Sequence, residues 1–244
     1  MKNQFSESMT EFTIIVPVYN EEENLLRMEH ALAEYCSTAP KFTSVLFVND
    51  GSTDKSEKFI EEICLRQREF HFISFKNNLG LSAALKAGFD WVQTPLLGYI
   101  DSDLQTFPED FNLLLEFAGE FDLITGYRKH RKDGIVKNVS SKIANSIRRI
   151  FTQDGIKDTG CPLKVLNTDI AKRIPMFKGM HRFLPALVLL QNGKLHQVPV
   201  RHFQRSGGKG KFGIWNRIFG SLTACFVYLW IKRNYIHYQI EKSA

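Results

Sequence analysis

The sequence predicts an α/β protein built on a mostly parallel, doubly wound sheet, and three observations carry that expectation. Short apolar runs of strand length alternate with segments of helical periodicity through the first hundred residues. The spacing of this alternation is that of strand–helix–strand units, which pair their strands in parallel. Acidic and polar residues also gather just after the apolar runs, where an open sheet of this kind exposes the carboxyl ends of its strands.

Taken in order, Phe12–Val18 (FTIIVPV) reads as a buried strand. Glu21–Ser37 follows as a helix, with Leu25, Met28, Leu32 and Tyr35 on one face. Thr43–Asn49 is a second strand, ended by Asp50-Gly51. Asp54, with Glu57 three residues on, has the form of a capping box and opens a helix to about Arg68. Phe70–Phe75 is a third strand. Leu81–Val92 is a helix entered through Asn78-Leu79-Gly80, and Leu96–Ile100 is a strand that stops at Asp101. Beyond residue 105 the regularity loosens. A helix near Pro108–Ala118, a strand at Asp122–Gly126 and a basic helix at Val136–Phe151 are expected, then a turn at Gly160-Cys161-Pro162. A short strand from Leu195 takes in Pro199 and Val200. The glycine- and lysine-rich segment Arg205–Lys211 (RSGGKGK) precedes a final amphipathic helix from Ile214. No internal repeat and no linker interrupts the chain, so one domain over residues 1–244 is expected.

Composition narrows the class. The formal charge is +6, with basic residues concentrated in 127–149 and 194–217 and acidic ones in 20–34 and 101–122. That separation suggests an anionic partner: phosphate, lipid headgroup or nucleic acid. No nucleic-acid reading motif accompanies the basic stretches. Four scattered cysteines without a C-x-x-C pair argue against a disulfide framework or a zinc site and for a reducing compartment. The start, MKNQFSESMTEF, lacks the apolar core of a secretory signal, so a cytosolic location is expected. The longest apolar run, Phe219–Ile231, spans 13 residues and contains Gly220, Ser221 and Thr223. A membrane-spanning helix needs about 20.

Asp101 and Asp103 carry the sharpest chemical signal. Residues two apart in extended chain point the same way, so both carboxylates can face one cation. Mg2+ and Mn2+ favour such hard oxygen ligands, typically one or two carboxylates completed by substrate phosphates for Mg2+. Gln105, one alternation further, can add a ligand or orient a bound water. A solvated acidic turn before a helix is the plainer alternative, and the position straight after LLGYI favours the metal. Asp50 has two readings, a common Asp-Gly turn or an acceptor for a nucleobase edge. Tyr19 and Glu21 likewise read either as core edge and first-turn charge or as site residues. Arg205 and Lys211 suit closure over a diphosphate, and Arg128 can reach the same anion; each also reads as a solvated loop cation. The G-x-G-x-x-G and P-loop patterns are both missing.

Together these residues resemble the family 2 glycosyltransferases of the GT-A (Rossmann-like) fold, in particular the dolichyl-phosphate mannose synthase-like branch. The resemblance rests on IIVPVYNEEENL, VLFVNDGSTDKS, KNNLGLSAALKAGFD, GYIDSDLQTFPED, ITGYRKHRKD, DTGCPLKVLNTDI, GMHRFLPAL and VPVRHFQRSGGKGKFG, spanning Ile14 to Gly213. It implies that Pro17, Tyr19, Glu21 and Asp50 contact the nucleotide. It also implies that Asp101, Ser102, Asp103 and Gln105 lie at the metal and diphosphate, and that Arg128, Arg205 and Lys211 meet donor or acceptor phosphates. His181-Arg182-Phe183 resembles a segment of bacterial polyprenyl-phosphate sugar transferases, including those acting on aminoarabinose derivatives; it reads equally as a helix start with one packed aromatic. Two departures stand out: Gly210 replaces the serine that usually precedes the loop lysine, and many relatives continue into transmembrane helices that are not read here.

The resemblance therefore implies an inverting, Mg2+- or Mn2+-dependent transfer of a sugar from a nucleotide-sugar to a polyprenyl (dolichyl or undecaprenyl) phosphate. Asp103, Arg205 and Lys211 are the expected catalytic residues. The nucleotide-binding half would run over about 12–105 and the acceptor- and membrane-facing half over about 106–244. The enzyme would sit on the inner face of the cytoplasmic membrane, with or without a membrane-protein partner. The competing expectations are a family 2 enzyme acting on a water-soluble glycan or protein hydroxyl and a non-catalytic nucleotide-binding module.

Overall fold

Residues 11–128, 148–202 and 214–236 are described by the computed structural model, with side chains in the last segment from Thr223 onward. Strand β1 (Phe12–Val18) sends Phe12, Ile14, Val16 and Val18 into one apolar cluster and Ile15 into another. Successive strand side chains point to opposite faces, so a strand apolar at nearly every position must be covered on both sides. Helices α1 (Leu25–Thr38) and α2 (Ser56–Arg66) supply Leu25, Met28, Leu32, Ile60 and Ile63 to the first cluster. Helix α3 (Leu81–Trp91) supplies Ala84, Leu85 and Phe89 to the second. This is the doubly wound arrangement that the alternation predicts.

The remaining strands are β2 (Thr43–Asn49), β3 (Phe70–Ser74), β4 (Leu96–Tyr99), β5 (Leu123–Arg128), β6 (Lys164–Asn167) and β7 (Leu195–Val200). The sheet runs β3-β2-β1-β4-β6-β5-β7. Pairings are parallel except at β6, which lies antiparallel to both β4 and β5. The chain winds outward from β1 to β3, then returns to place β4 on the other side of β1. Strand order thus reverses between β1 and β4, and such a switch point opens a crevice beyond the carboxyl ends of the strands. At that crevice β4 stops opposite Ile15, while β1 continues to Val18.

Several boundaries differ from the sequence reading for identifiable reasons. Helix α1 starts at Leu25 rather than Glu21 because the backbone of Glu21 and Glu22 is bound sideways, to Ser56 Oγ and the Asp54 carboxylate. Asp54 also accepts the Ser56 N–H at 2.9 Å, so α2 begins at Ser56. The helix expected near Pro108–Ala118 is a 3-10 turn, Pro108–Asp110, followed by α4 (Phe111–Leu115). It stops early because the Phe117 and Ala118 N–H groups bond to carbonyls three residues back and Gly119 takes φ +97°. Strand β6 and helix α5 (Thr168–Arg173) were not anticipated. At His181-Arg182-Phe183 the helix start with one packed aromatic is realised, as a 3-10 turn Met180–Phe183 with Phe183 buried leads into α6 (Leu184–Leu189). β6 has only four residues, one of them a lysine, which is too short and too polar to register as a strand period.

Helix α7 (Ile214–Asn234) buries Ala224, Cys225, Tyr228 and Ile231, with the Tyr228 ring 5.7 Å from that of Phe183. Among the described residues no helix is long and apolar enough to cross a membrane. Most of the basic helix expected at Val136–Phe151 lies outside the described residues. Residues 148–152 are helical, and the buried pair of Arg148 with Asp154 ties them to the loop that follows.

Candidate active site

The loops that follow β1 and β2 are joined into one rim along the crevice. Asn20, at φ +52°, donates its N–H to Ser52 Oγ at 3.0 Å and accepts the Thr53 N–H at 2.8 Å. Glu21 N–H reaches Ser56 Oγ at 2.9 Å, and Lys55 N–H reaches the Glu22 carboxylate at 2.9 Å. Bonds from side chains to backbone satisfy loop N–H groups that no ladder serves. Pro17 and Tyr19 lie half-buried along this rim. The Glu21 carboxylate accepts a 2.6 Å bond from Asn24 Nδ2.

Asp50 is almost wholly buried at the carboxyl end of β2. Its carboxylate accepts the Leu79 N–H at 2.7 Å, the Gly80 N–H at 2.9 Å and Asn78 Nδ2 at 2.9 Å. Asp50 thereby holds the loop leading into α3. The neighbouring Gly51 has φ +64°, and a Cβ there would lie 2.4 Å from the Asn77 carbonyl carbon, so the two loops meet backbone to backbone. The turn reading of Asp50 and Gly51 is therefore realised. These bonds occupy Asp50 within the protein, and its contact with a nucleobase remains an expectation.

The segment after β4 brings the two acidic residues to the switch point. Tyr99 donates its hydroxyl to Asp101 Oδ1 at 2.6 Å, and Asp103 Oδ1 accepts the Gln105 N–H at 3.3 Å. Residues 102–103 form a turn, and Leu104 just after it takes φ +50°. Ser102 is buried at this turn. Burial raises the Tyr99 hydroxyl pKa well above its ordinary value, and Asp101 and then Asp103 add to the rise, so both carboxylates act on one hydroxyl. Asp101 is itself raised, chiefly by burial. The Tyr99 bond, Lys164 and Arg128 oppose that rise, while Glu21 adds to it. Glu21, Asp101 and Asp103 thus share one electrostatic neighbourhood.

These groups suit a divalent cation. The donors are hard oxygens, and a buried carboxylate that resists ionisation gains from a neighbouring positive charge. Among the described residues no group of three or more His, Cys, Asp or Glu side chains could hold a metal ion. Asp101, Asp103 and Gln105 would therefore hold such an ion only together with oxygens of a bound phosphate.

Arg128 is placed differently from a free loop cation. It forms a fork with Asp158, Nε at 2.6 Å from Oδ2 and Nη2 at 2.9 Å from Oδ1, with both side chains less than a tenth exposed. It still lies close enough to Asp101 to lower its pKa. Arg205, Gly210 and Lys211 lie outside the described residues. Of the HRF segment, Phe183 is buried, Arg182 is exposed and His181 is anchored. Ser82 Oγ accepts the Gly179 and His181 N–H groups, leaving its hydroxyl to donate to His181 Nδ1 at 2.9 Å. That arrangement assigns the proton to Nε2. Burial, with Arg182 adding, pushes the imidazole down to about 3, so it is neutral at physiological pH. The site residues missed from sequence are Tyr99, Asp158, Lys164 and Ser82. Tyr99 and Lys164 had the signal of position at strand ends and Ser82 at a helix start, while Asp158 lies in the loop that leads into β6.

An open sheet with a carboxylate pair at its switch point defines a class: α/β proteins that bind their ligand across the carboxyl ends of the strands. Residues 13–175 match the model of Glycosyl transferase family 2, and the chain belongs to that family. The dodecaprenyl-phosphate galacturonate synthase of Rhizobium johnstonii is 32% identical over 215 residues, 84% of this chain and 62% of that protein. The undecaprenyl-phosphate 4-deoxy-4-formamido-L-arabinose transferase of Salmonella choleraesuis is 30% identical over 203 residues, 82% of this chain and 62% of that protein. The chain thus spans less than two thirds of the length of these relatives. Glucosyl-3-phosphoglycerate synthase from Mycobacterium tuberculosis has been solved with Mn2+, uridine diphosphate and glucosyl-3-phosphoglycerate. It superposes with a TM-score of 0.70 at 13% identity, covering 88% of this chain and 80% of that one. The GT-A arrangement expected from the sequence is the fold observed.

Proposed function

We propose that this chain transfers a sugar, with inversion, from a nucleotide-sugar to a polyprenyl phosphate, working as a peripheral protein on the inner face of the cytoplasmic membrane. The observation that carries the proposal is the Asp101–Asp103 pair at the β1/β4 switch point, with Tyr99 bonded to Asp101 and Glu21 of the neighbouring rim close enough to raise the Asp101 pKa. The two curated relatives, both named for polyprenyl-phosphate sugar chemistry, support the acceptor class.

Asp101, Asp103 and Gln105 would hold Mg2+ or Mn2+. Once bound, the ion supplies positive charge to a departing nucleoside diphosphate, a contribution of several kcal/mol. The chain's own residues do the rest. Pro17, Tyr19 and Glu21 line the nucleotide's rim, and Asp50 keeps its far wall in place through the 78–80 loop. Ser102 fills the turn that sets the spacing of the carboxylates. Arg128, held by Asp158, contributes fixed positive potential, and Arg205 and Lys211 supply the cations for the phosphates. A phosphate acceptor has a second pKa of about 6 and is largely dianionic at neutral pH, so no general base is required. The neutral His181 fits that economy.

A seat on anionic lipid is supported by the outer side of the C-terminal region. Ile150, Phe226 and Trp230 are 73%, 63% and 65% exposed, and Arg149, Lys232 and Arg233 are exposed around them. Apolar side chains flanked by cations suit the bilayer interface.

The test is incubation of the purified chain with a panel of labelled nucleotide-sugars, Mn2+ and undecaprenyl or dolichyl phosphate. Label passing into organic solvent is expected. Its appearance only on water-soluble glycans or proteins would replace the acceptor, and nucleotide binding without any transfer would leave a binding module. Asp103→Asn should lower transfer by roughly 10²–10³-fold with an unchanged unfolding temperature, and a fully active variant would remove Asp103 from the metal.

A further inference from the structure

The mechanism so far makes no use of one buried cation. Lys164 is 1% exposed, on the short antiparallel strand β6, directly opposite Tyr99 of β4. A lysine is almost never buried to this degree without a partner. Its Nζ donates to the Cys161 carbonyl, in the turn that carries Asp158, and stands 5.7 Å from the centre of the Tyr99 ring. Tyr99 in turn spends its hydroxyl on Asp101 Oδ1 at 2.6 Å. The chain of contacts runs from the 158–161 turn through Lys164 and Tyr99 to one carboxylate of the candidate metal pair.

We infer that Lys164 is a positioning residue for that pair: its amine holds the Tyr99 ring from the β6 side and so fixes the direction in which Asp101 points. The inference rests on the metal role assigned to Asp101 and Asp103. It accounts for β6 carrying a lysine where its neighbours Val165 and Leu166 are core residues. A core leucine there would be cheaper for stability alone, because burying an amine costs solvation that an apolar side chain does not lose. Burial does push the Lys164 pKa down, with Cys161, Asp158 and Asp101 opposing. Groups that orient metal ligands from behind typically change metal affinity 10–100-fold when removed.

The experiment titrates Mn2+ alone into the purified chain and follows the free ion by electron paramagnetic resonance, with thermal unfolding as the check on folding. Lys164→Met keeps the stem and loses the amine. Lys164→Gln keeps a donor for the Cys161 carbonyl and loses the charge over the ring. Each folded variant should bind Mn2+ about tenfold more weakly. Tyr99→Phe should show a similar loss, and the Tyr99→Phe/Lys164→Met double variant should be no weaker than either single one, because both act through the same hydroxyl. A folded Lys164 variant binding within twofold of the parent overturns the inference, and so does a double variant whose losses multiply. Failure of both variants to fold makes Lys164 a residue of the fold and likewise overturns it. A parent chain that takes up no Mn2+, either alone or with a nucleoside diphosphate added to complete the coordination, removes the metal role itself, which separates that failure from the other.

Discussion

Replacing Asp50 with asparagine should loosen the loop that leads into α3, and the structure sets the size of the effect. Oδ1 accepts Leu79 N–H at 2.7 Å and Gly80 N–H at 3.2 Å, while Oδ2 accepts Gly80 N–H and Asn78 Nδ2, both at 2.9 Å. An asparagine keeps one acceptor oxygen and turns an NH2 toward whichever donors remain. Donors then face donors in a side chain that is 4% exposed. A charge-assisted bond contributes about 1.5–3 kcal/mol, and a buried group left unpaired costs about 1–3 kcal/mol. Asp50→Asn should therefore lose about 2–4 kcal/mol, lowering the unfolding temperature by about 5–15 °C for a chain of this length. Asn78→Ala, which removes only the side-chain donor and leaves both backbone N–H bonds, should cost about 1 kcal/mol or less. Thermal and urea unfolding decide the matter. An Asp50→Asn protein within about 1 °C of the parent would refute the anchoring argument. Nucleotide affinity measured on both variants separates the two readings of Asp50. A direct nucleotide contact shows as a loss in Asp50→Asn that Asn78→Ala does not share.

Gly51→Ala should destabilise by about 2–3 kcal/mol, since its Cβ would meet the Asn77 and Asn78 backbone at 2.4–2.8 Å in a left-handed conformation. A urea midpoint matching the parent's would contradict that packing. Arg128→Lys cannot reproduce the fork to Asp158, in a pair less than a tenth exposed on either side. A loss of about 2–3 kcal/mol is expected by chemical denaturation, and a neutral result would mean the pair is looser than drawn. His181 has a folded pKa near 3 against an ordinary 6.5. As pH falls below 6.5 the unfolded chain takes the proton first, so stability present at neutral pH drains away down to about 3. Between pH 7 and 4 the parent should lose roughly 3 kcal/mol more than His181→Gln. Parallel stability curves for the two proteins would show that the imidazole titrates normally in the fold.

How much was legible depended on what each element needed from its neighbours. β1 and β2 are read to the residue because an apolar run covered on both faces has no other use, and the covering helices follow from their own 3.6-residue period. α1 began later than expected because loops 19–24 and 50–56 bind each other, a contact between segments about thirty residues apart that local pattern does not carry. β6 escaped because strand propensity is mostly the packing of a pleated surface, and its lysine is held by the Cys161 carbonyl three residues back and by the ring of Tyr99, which is distant in sequence and near in space.

By itself, the sequence determined the class of fold and the crevice edge on which the acidic residues fall, because periodicity is a property of the chain. The alternation expected to point Asp101 and Asp103 the same way ends with β4 at Tyr99, and a turn at residues 102–103 places them instead. Tertiary structure alone decided that Asp50 anchors a loop, that Arg128 is bound to Asp158, and that Tyr99 and Lys164 stand behind Asp101. The bonds of Asp50 to the 78–80 loop, the fork of Arg128 to Asp158 and the placing of Lys164 against the Tyr99 ring each join segments about thirty or more residues apart, and a carboxylate acquires its job only when folding chooses its donors.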